Sequence, residues 1–239
     1  MIMENTENKV PTHVTIIMDG NGRWARKQGK IRLFGHNVGV ESVRECCEYA
    51  VEHGIKYLSL FAFSEENWGR PKAEVEGLMA LMVKSVLAER PTFRKQNVRF
   101  RVVGHRESLP SDVLENIVLA EKETASNTGM NLIVMLSYSG KWDIVQAARR
   151  FAKATLEAGH EIDLDESLFS SYLSTEGIPD PDLMIRTSGE QRLSNYMLWQ
   201  CAYTEFYFTP VLWPDFRKAD FDMAVRSFNC RERRFGKTE

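Results

Sequence analysis

The sequence predicts one α/β domain built on a largely parallel sheet, and three observations carry that reading. Six short apolar runs alternate with stretches of helical periodicity along the 239 residues. Several of these runs are apolar almost throughout, as expected for strands covered on both faces. Polar clusters follow five of the runs, and open α/β sheets bind ligands at the carboxyl ends of their strands.

The strand runs are residues 14–18, 57–63, 98–103, 130–136, 183–185 and 205–211. Helical spacing is read near 38–53, 72–96, 111–124, 142–158, 166–174 and 193–203, with a last helix over 219–228. This alternation implies right-handed crossovers between parallel strands. Segment 72–96 carries more apolar residues than one helical face needs, Val75, Leu78, Met79, Leu81, Met82, Val83, Val86 and Leu87 among them. Periodicity alone favours plain core packing; a dimer face or the wall of an elongated apolar cavity would use the same surface. Pro91 lacks an N–H and clashes with the preceding turn, so it is expected to bend or break this helix.

Composition excludes several classes. Hydrophobic residues make up 43% and charged residues 27%, and the net charge is -2, which gives no electrostatic reason to expect nucleic acid. Cys46, Cys47, Cys201 and Cys230 form no C-x-x-C pair, which reads as reduced thiols in a cytoplasmic protein. The polar N-terminus has no signal-peptide core, and no run of about 18 apolar residues spans a membrane. One domain is expected over 1–239, with residues 1–12 as a flexible N-terminus.

The most informative stretch is H-V-T-I-I-M-D-G-N-G-R-W, residues 13–24. A buried strand ends in Asp19, and no further acid occurs before Glu41, while Arg23, Arg26, Lys27, Lys30, Arg32 and His36 lie between. Asp19 can simply cap a turn. A lone carboxylate ahead of a glycine-bearing basic loop also suits a metal-bound polyanion: the carboxylate holds the cation, bare backbone approaches the phosphates and the arginines take the remaining charge. No P-loop and no G-x-G-x-x-G fingerprint is present. Residues 186–195, R-T-S-G-E-Q-R-L-S-N, form a second anion-binding candidate, read as joining a strand to a helix N-terminus. Glu205 opens a very apolar run and needs an ion pair or a metal there. His36 touches a diphosphate or fills a loop; spacing leaves both open.

D-G-N-G-R-W (19–24), K-I-R-L-F-G-H (30–36), F-A-F-S-E-E-N-W-G-R-P (61–71), R-T-S-G-E-Q-R-L-S-N (186–195), W-P-D-F (213–216) and R-E-R-R-F-G (231–236) together resemble the cis-prenyltransferases over nearly the whole chain. The resemblance implies a six-stranded, mostly parallel sheet surrounded by helices, an apolar tunnel between sheet and helices, and a homodimer. It implies magnesium-dependent addition of isopentenyl diphosphate to farnesyl diphosphate with cis geometry, giving a long-chain, undecaprenyl-type diphosphate that serves bacterial cell-wall synthesis. Peripheral membrane contact would serve product release.

By the same resemblance, Asp19 handles magnesium-diphosphate and Glu205 completes the metal site. Gly20, Asn21, Gly22 and Arg23 bind the allylic diphosphate, with Arg32 and His36 nearby. Trp24 and Trp68 pack on substrate, and Ser64, Glu65 and Glu66 line the substrate loop. Asn67 assists proton removal, although a carboxamide is a poor base. Arg70, Arg186, Arg192, Leu193 and Ser194 serve isopentenyl diphosphate. Ala62 and Met130 match positions linked to chain length, and a small Ala62 favours a long product. Gln191 stands where some relatives have His and receives no role; Lys141 replaces a frequent Arg. The chain ends soon after Gly236 without the R-x-G feature of heteromeric eukaryotic enzymes, which favours a self-sufficient homodimer. A catalytically silent partner subunit is the competing reading, and the presence of Asp19, Asn21, Arg23 and Asn67 speaks against it.

Overall fold

The computed structural model describes residues 10–232. Its strands are β1 (His13–Ile17), β2 (Tyr57–Ser64), β3 (Arg99–Val103), β4 (Asn131–Tyr138), β5 (Leu183–Arg186) and β6 (Glu205–Phe208). They form one sheet in the order β3-β4-β2-β1-β5-β6, with every neighbouring pair parallel. The helices are α1 (Asn21–Lys27), α2 (Arg32–Glu52), α3 (Lys72–Lys95), α4 (Ser111–Thr124), α5 (Gly140–Ala158), α6 (Glu166–Ser171) and α7 (Lys218–Asn229). Short 3-10 turns occupy Glu65–Gly69, Arg106–Ser108 and Trp213–Asp215.

Every residue of β1 is buried, because side chains pack on both faces of the sheet. Val14 and Ile16 enter the larger core, together with Cys46 of α2, Met79 of α3, Ile117 of α4 and Phe221 of α7. Ile17 enters the smaller core on the opposite face, with Tyr138, Tyr196 and Met197, against which Trp142 of α5 packs. The β3 edge is blunted by side chains: Phe100 N–H donates to Thr124 Oγ1 (3.1 Å) and Val102 N–H to Glu121 Oε1 (2.8 Å).

Four expectations need correction. The basic segment after Asp19 is not a loop; it holds α1, and α2 already begins at Arg32. Arg26 and Lys27 fall in the last turn of α1, where positive charge favours the helix dipole, so the basic residues support helix rather than oppose it. Residues 193–203 form turns, not a helix. Ser194, Asn195 and Met197 take φ of 52°, 61° and 41°, which a right-handed helix forbids. Tertiary bonds hold them there: Asn195 O accepts from Gly140 N–H (2.6 Å) and Asn195 Oδ1 from Lys141 N–H (2.9 Å).

Pro91 does not break α3, which runs on to Lys95. The proline removes the N–H that would reach the Leu87 carbonyl, and Leu87 lies on an exposed part of the helix, where that loss costs least. Within the expected flexible N-terminus, Pro11 is buried and Thr12 N–H donates to Asp182 Oδ2 (2.8 Å). Residues 1–9, and residues 233–236 of the basic C-terminal motif, lie outside the described residues. The cysteines are free, with Cys46 and Cys47 inside α2. Among the described residues no helix is long and apolar enough to cross a membrane.

Candidate active site

Five polar clusters reach the same edge of the sheet because all strands are parallel and end there. Asp19 stands at the centre of that edge. Its carbonyl accepts from Thr187 Oγ1 (2.6 Å) and Trp213 N–H (3.1 Å), so its backbone is clamped from two sides. Gly20 follows with φ of 111°, and a Cβ there would lie 3.0 Å from Leu212 Cδ2 and 3.1 Å from Ser188 Cβ. Only glycine makes this turn at so close an approach. Asn21, Gly22 and Arg23 then open α1, whose first turn carries no acid and leaves backbone N–H groups for an anion.

The Asp19 carboxylate is held by two arginines. Arg186 Nη2 lies 3.1 Å and Arg23 Nη2 3.3 Å from Oδ2. Burial alone would raise its pKa, but the Arg186 hydrogen bond and the charges of Arg186 and Arg23 outweigh burial and hold it below the usual carboxylate range. Arg186 is fixed in turn by Ser194 Oγ, which accepts from its Nη1 at 2.7 Å, and by the Arg192 carbonyl.

A polar cavity gathers Asp19, Gly20, Asn21, Gly22, Arg23, Arg32, His36, Arg70 and Arg192, all named from the sequence. Met18, Arg26 and Glu190 join them without having been assigned a role. Glu190 pairs with Arg23 (3.2 Å) and Arg192 (2.5 Å). Its signal was an acid inside an otherwise basic turn. Arg23, Arg26, Arg32, Arg70 and Arg192 face Asp19 and Glu190, five guanidinium groups against two carboxylates. His36 is pushed down to about 4, by burial first and then by the Arg70 charge, so it is a neutral imidazole at pH 7.

The remaining predicted residues sit around this cavity in other roles. Trp24 Nε1 donates to Asp215 Oδ1 (2.7 Å), and its ring stacks on Phe34. In the 3-10 turn, Asn67 Oδ1 accepts from Ser64 N–H (3.2 Å), forming a capping box. Ser137 Oγ ties down Trp68 Nε1 (2.7 Å) and Glu65 Oε1 (2.5 Å). Glu66 accepts from Asn195 Nδ2 (2.6 Å). Leu193 packs against the smaller core.

Glu205 is not at this site in the chain. It opens β6 opposite Leu183, which in turn pairs with Val14, five positions before Asp19. At about 3.3 Å per residue the two carboxylates are roughly 16 Å apart along the strands. Glu205 instead pairs with Arg231 at 2.7 Å, the ion pair that its apolar surroundings call for.

An apolar cavity continues from the polar one, and Met18, Asn21 and His36 line both. It runs between the sheet and helices α2 and α3, which places the apolar excess of α3 on its wall. Pairing of β2 with β4 shifts register between Phe61 and Phe63, a bulge at Ala62. Ala62 is exposed although β2 is a central strand, because it faces this cavity. Leu132, Val134 and Leu136 represent β4 there; Met130 is buried in the core instead.

Magnesium fits the donor set at Asp19. The ion keeps several waters and is commonly held by one or two carboxylates plus substrate phosphates. An ionised carboxylate beside five guanidinium groups suits such an ion brought in on a diphosphate. No three His, Cys, Asp or Glu residues converge as a protein-only metal cage among the described residues.

Known proteins agree with this geometry. Residues 17–236 match the prenyltransferase family described as "Putative undecaprenyl diphosphate synthase". An isoprenyl transferase of Chlorobaculum tepidum is 50% identical over 96% of this chain and 87% of its own length. The ditrans,polycis-undecaprenyl-diphosphate synthase ((2E,6E)-farnesyl-diphosphate specific) of Escherichia coli K12 is 48% identical over 95% of this chain and 90% of its own. The crystal structure of lavandulyl diphosphate synthase from Lavandula x intermedia, in complex with dimethylallyl diphosphate, superposes with a TM-score of 0.92 at 40% identity, covering 95% of this chain and 98% of that one. A probable undecaprenyl diphosphate synthase from Campylobacter jejuni gives a TM-score of 0.80 at 34% identity, over 96% of this chain and 100% of that one. With the family matched over nearly its full length and the fold shared, the chain belongs to the cis-prenyltransferases and is a transferase.

Proposed function

We propose that the enzyme adds isopentenyl diphosphate repeatedly to farnesyl diphosphate, with magnesium, to give a long-chain cis-polyprenyl diphosphate of the undecaprenyl type. The observation that carries this reading is the joining of a five-arginine cavity to an apolar one through Met18, Asn21 and His36. Such a site matches an amphiphile with a diphosphate head and a hydrocarbon tail.

Arg23, Arg32 and the N–H groups of the first turn of α1 hold the allylic diphosphate, and neutral His36 contributes a hydrogen bond. Asp19 would hold magnesium, which would stabilise the charge that gathers on the departing diphosphate. Arg70, Arg186, Arg192 and Ser194 position isopentenyl diphosphate so that its terminal alkene carbon faces the allylic carbon, removing much of the entropic barrier. The allylic C–O bond breaks and its electron pair leaves with the diphosphate; the alkene supplies the electrons for the new C–C bond, and a proton is lost from the neighbouring carbon. Asn67 is engaged in its capping box and is a poor base, so the departing diphosphate oxygen is the better acceptor for that proton.

The enzyme works in the cytoplasm as a homodimer, and its product serves as lipid carrier for cell-wall precursors. Exposed Tyr203 and Phe208 near the β6 edge support pairing of two copies. Exposed Ile31 and Phe34, next to Lys27 and Lys30, support peripheral contact with a membrane. The test is an incubation with farnesyl diphosphate, radiolabelled isopentenyl diphosphate and magnesium, with Asp19→Ala alongside. A polyprenyl ladder that disappears in the variant and with chelator is expected. No product from folded wild-type protein overturns the reading.

A further inference from the structure

The charged lining of the apolar cavity lies away from the diphosphate site, at Arg44 and Glu48 on α2 and Glu89 on α3, and the cavity continues beyond it along Thr92, Phe93 and Gln96. Arg44 reaches across between the two helices, with Nη2 2.5 Å and Nε 3.1 Å from Glu89 Oε1. It also pairs with Glu41 on its own helix. Nearer the diphosphate site, Arg32 and Glu74 link the same helices at 3.5 Å. The two helices of the cavity wall are therefore linked by ion pairs at two levels. The interior beside the Arg44–Glu89 pair is poorly solvated: burial, with the charges of Glu89 and Glu48, pushes the Cys47 thiol up to about 12.

Resting on the proposed function, we propose that the Arg44–Glu89 ion pair is a latch that the growing hydrocarbon must part to pass beyond the length of its starter. Arg44 lies eight residues beyond His36 on α2, about 12 Å along the helix axis. An extended chain advances about 1.2 Å per bond, so the three isoprene units of a farnesyl tail span roughly 14 Å. The starter already reaches the pair. The first one or two additions must push its tail against Arg44 and Glu89, and every later addition must thread past them. A hydrocarbon lodged against the separated, half-buried Glu89 carboxylate is unfavourable, because the charge loses its partner and regains only part of its hydration. Elongation is therefore slowest where the tail meets the latch, and intermediates of 20 and 25 carbons accumulate.

The test is the product ladder at limiting isopentenyl diphosphate, with the ratio of 20- and 25-carbon intermediates to longer products as readout. Wild type shows the accumulation. Glu89→Gln keeps the shape and removes the charge, and lowers the ratio about two- to fivefold, the factor by which a partly exposed pair of this kind commonly counts. Arg44→Gln gives the same ladder, and the swapped Arg44→Glu/Glu89→Arg variant restores the wild-type one. An unchanged ladder in Glu89→Gln overturns the latch, as does a difference between the two single variants or a folded swap that fails to restore. If wild type makes no polyprenyl product, the proposed function falls and the latch with it; a normal ladder that no variant alters removes the latch alone.

Discussion

Arg186, at the end of β5, lies 3.1 Å from the Asp19 carboxylate just beyond β1, and this contact spans the place where the chain changes direction across the sheet. From β1 the sheet grows to one side through β2, β4 and β3, and to the other through β5 and β6. Loops that leave adjacent strands in opposite directions open a crevice, and ligands of open α/β sheets settle there. The pair is thus both a structural bond and the floor of the substrate site.

Removing the carboxylate leaves a guanidinium that is 3% exposed short of one partner. Asp19→Asn keeps an oxygen to accept from Arg186 and is expected to fold nearly as wild type while losing activity. Asp19→Ala should lose activity and about 1–2 kcal/mol of stability, since Arg186 keeps Ser194 Oγ and the Arg192 carbonyl. Thermal melts of both variants beside turnover assays check this; equal stability of the two would refute the account of Arg186.

Stability should fall as pH drops from 7 to 5. His13 is fully buried, donates from Nδ1 to the Pro179 carbonyl (2.6 Å) and faces Ser59 Oγ with Nε2 (2.7 Å), a neutral arrangement. Burial pushes it down to about 4, against the Pro179 bond and the Asp182 charge. Between pH 6.5 and 4 the unfolded chain binds a proton that folded His13 refuses, so acidification favours unfolding, by about 2 kcal/mol at pH 5. His36, also depressed to about 4, adds in the same direction but less, being open to the cavity. Asp19 acts in a lower window, losing its contribution only as pH falls below the usual carboxylate range. His13→Gln should flatten the slope of melting temperature between pH 7 and 5, and an unaltered slope would remove His13 as its source.

Ser137 deserves two substitutions. It is fully buried with φ of 51°, and its hydroxyl joins Trp68, Glu65 and Ser108. Ser137→Gly relieves the left-handed backbone and releases Trp68; Ser137→Ala only releases it. Both should raise the KM for isopentenyl diphosphate several-fold, while the glycine variant is more stable than the alanine one by about 1 kcal/mol. A KM unchanged in both would show that the 3-10 turn holds without this anchor.

Ala62→Trp should shorten the product, because the bulge at Ala62 turns this side chain into the apolar cavity. Chromatograms matching wild type would place the tail elsewhere.

The strands were legible because burial on both faces leaves little but apolar residues, a pattern no turn imitates. The site was legible because parallel strands bring their polar ends to one edge. What escaped was decided by contacts distant in sequence. The turn at 193–203 has an apolar helical spacing, but Arg186, Gly140 and Lys141 hold Ser194 and Asn195 in conformations no helix allows. The apolar neighbours of Glu205 called for an ion pair or a metal alike, and the resemblance made it a metal ligand; the register of β5 with β6 sets it five positions back along the strands from Asp19, beside Arg231. The bulge at Ala62 leaves no mark in composition, since a single extra residue in an apolar run reads like any other.

The clamp on Asp19 has a consequence for how the protein comes into being. Its carbonyl is gripped by Thr187 and Trp213 and its carboxylate by Arg186, all more than 160 positions later in the chain. A nascent polypeptide that has emerged through β4 holds four of its strands and most of its hydrocarbon pocket, yet of the partners of the aspartate it holds only Arg23. The newborn enzyme passes through a greasy, half-open stage before it acquires a place for phosphate, and that stage is when it most needs protection from aggregation.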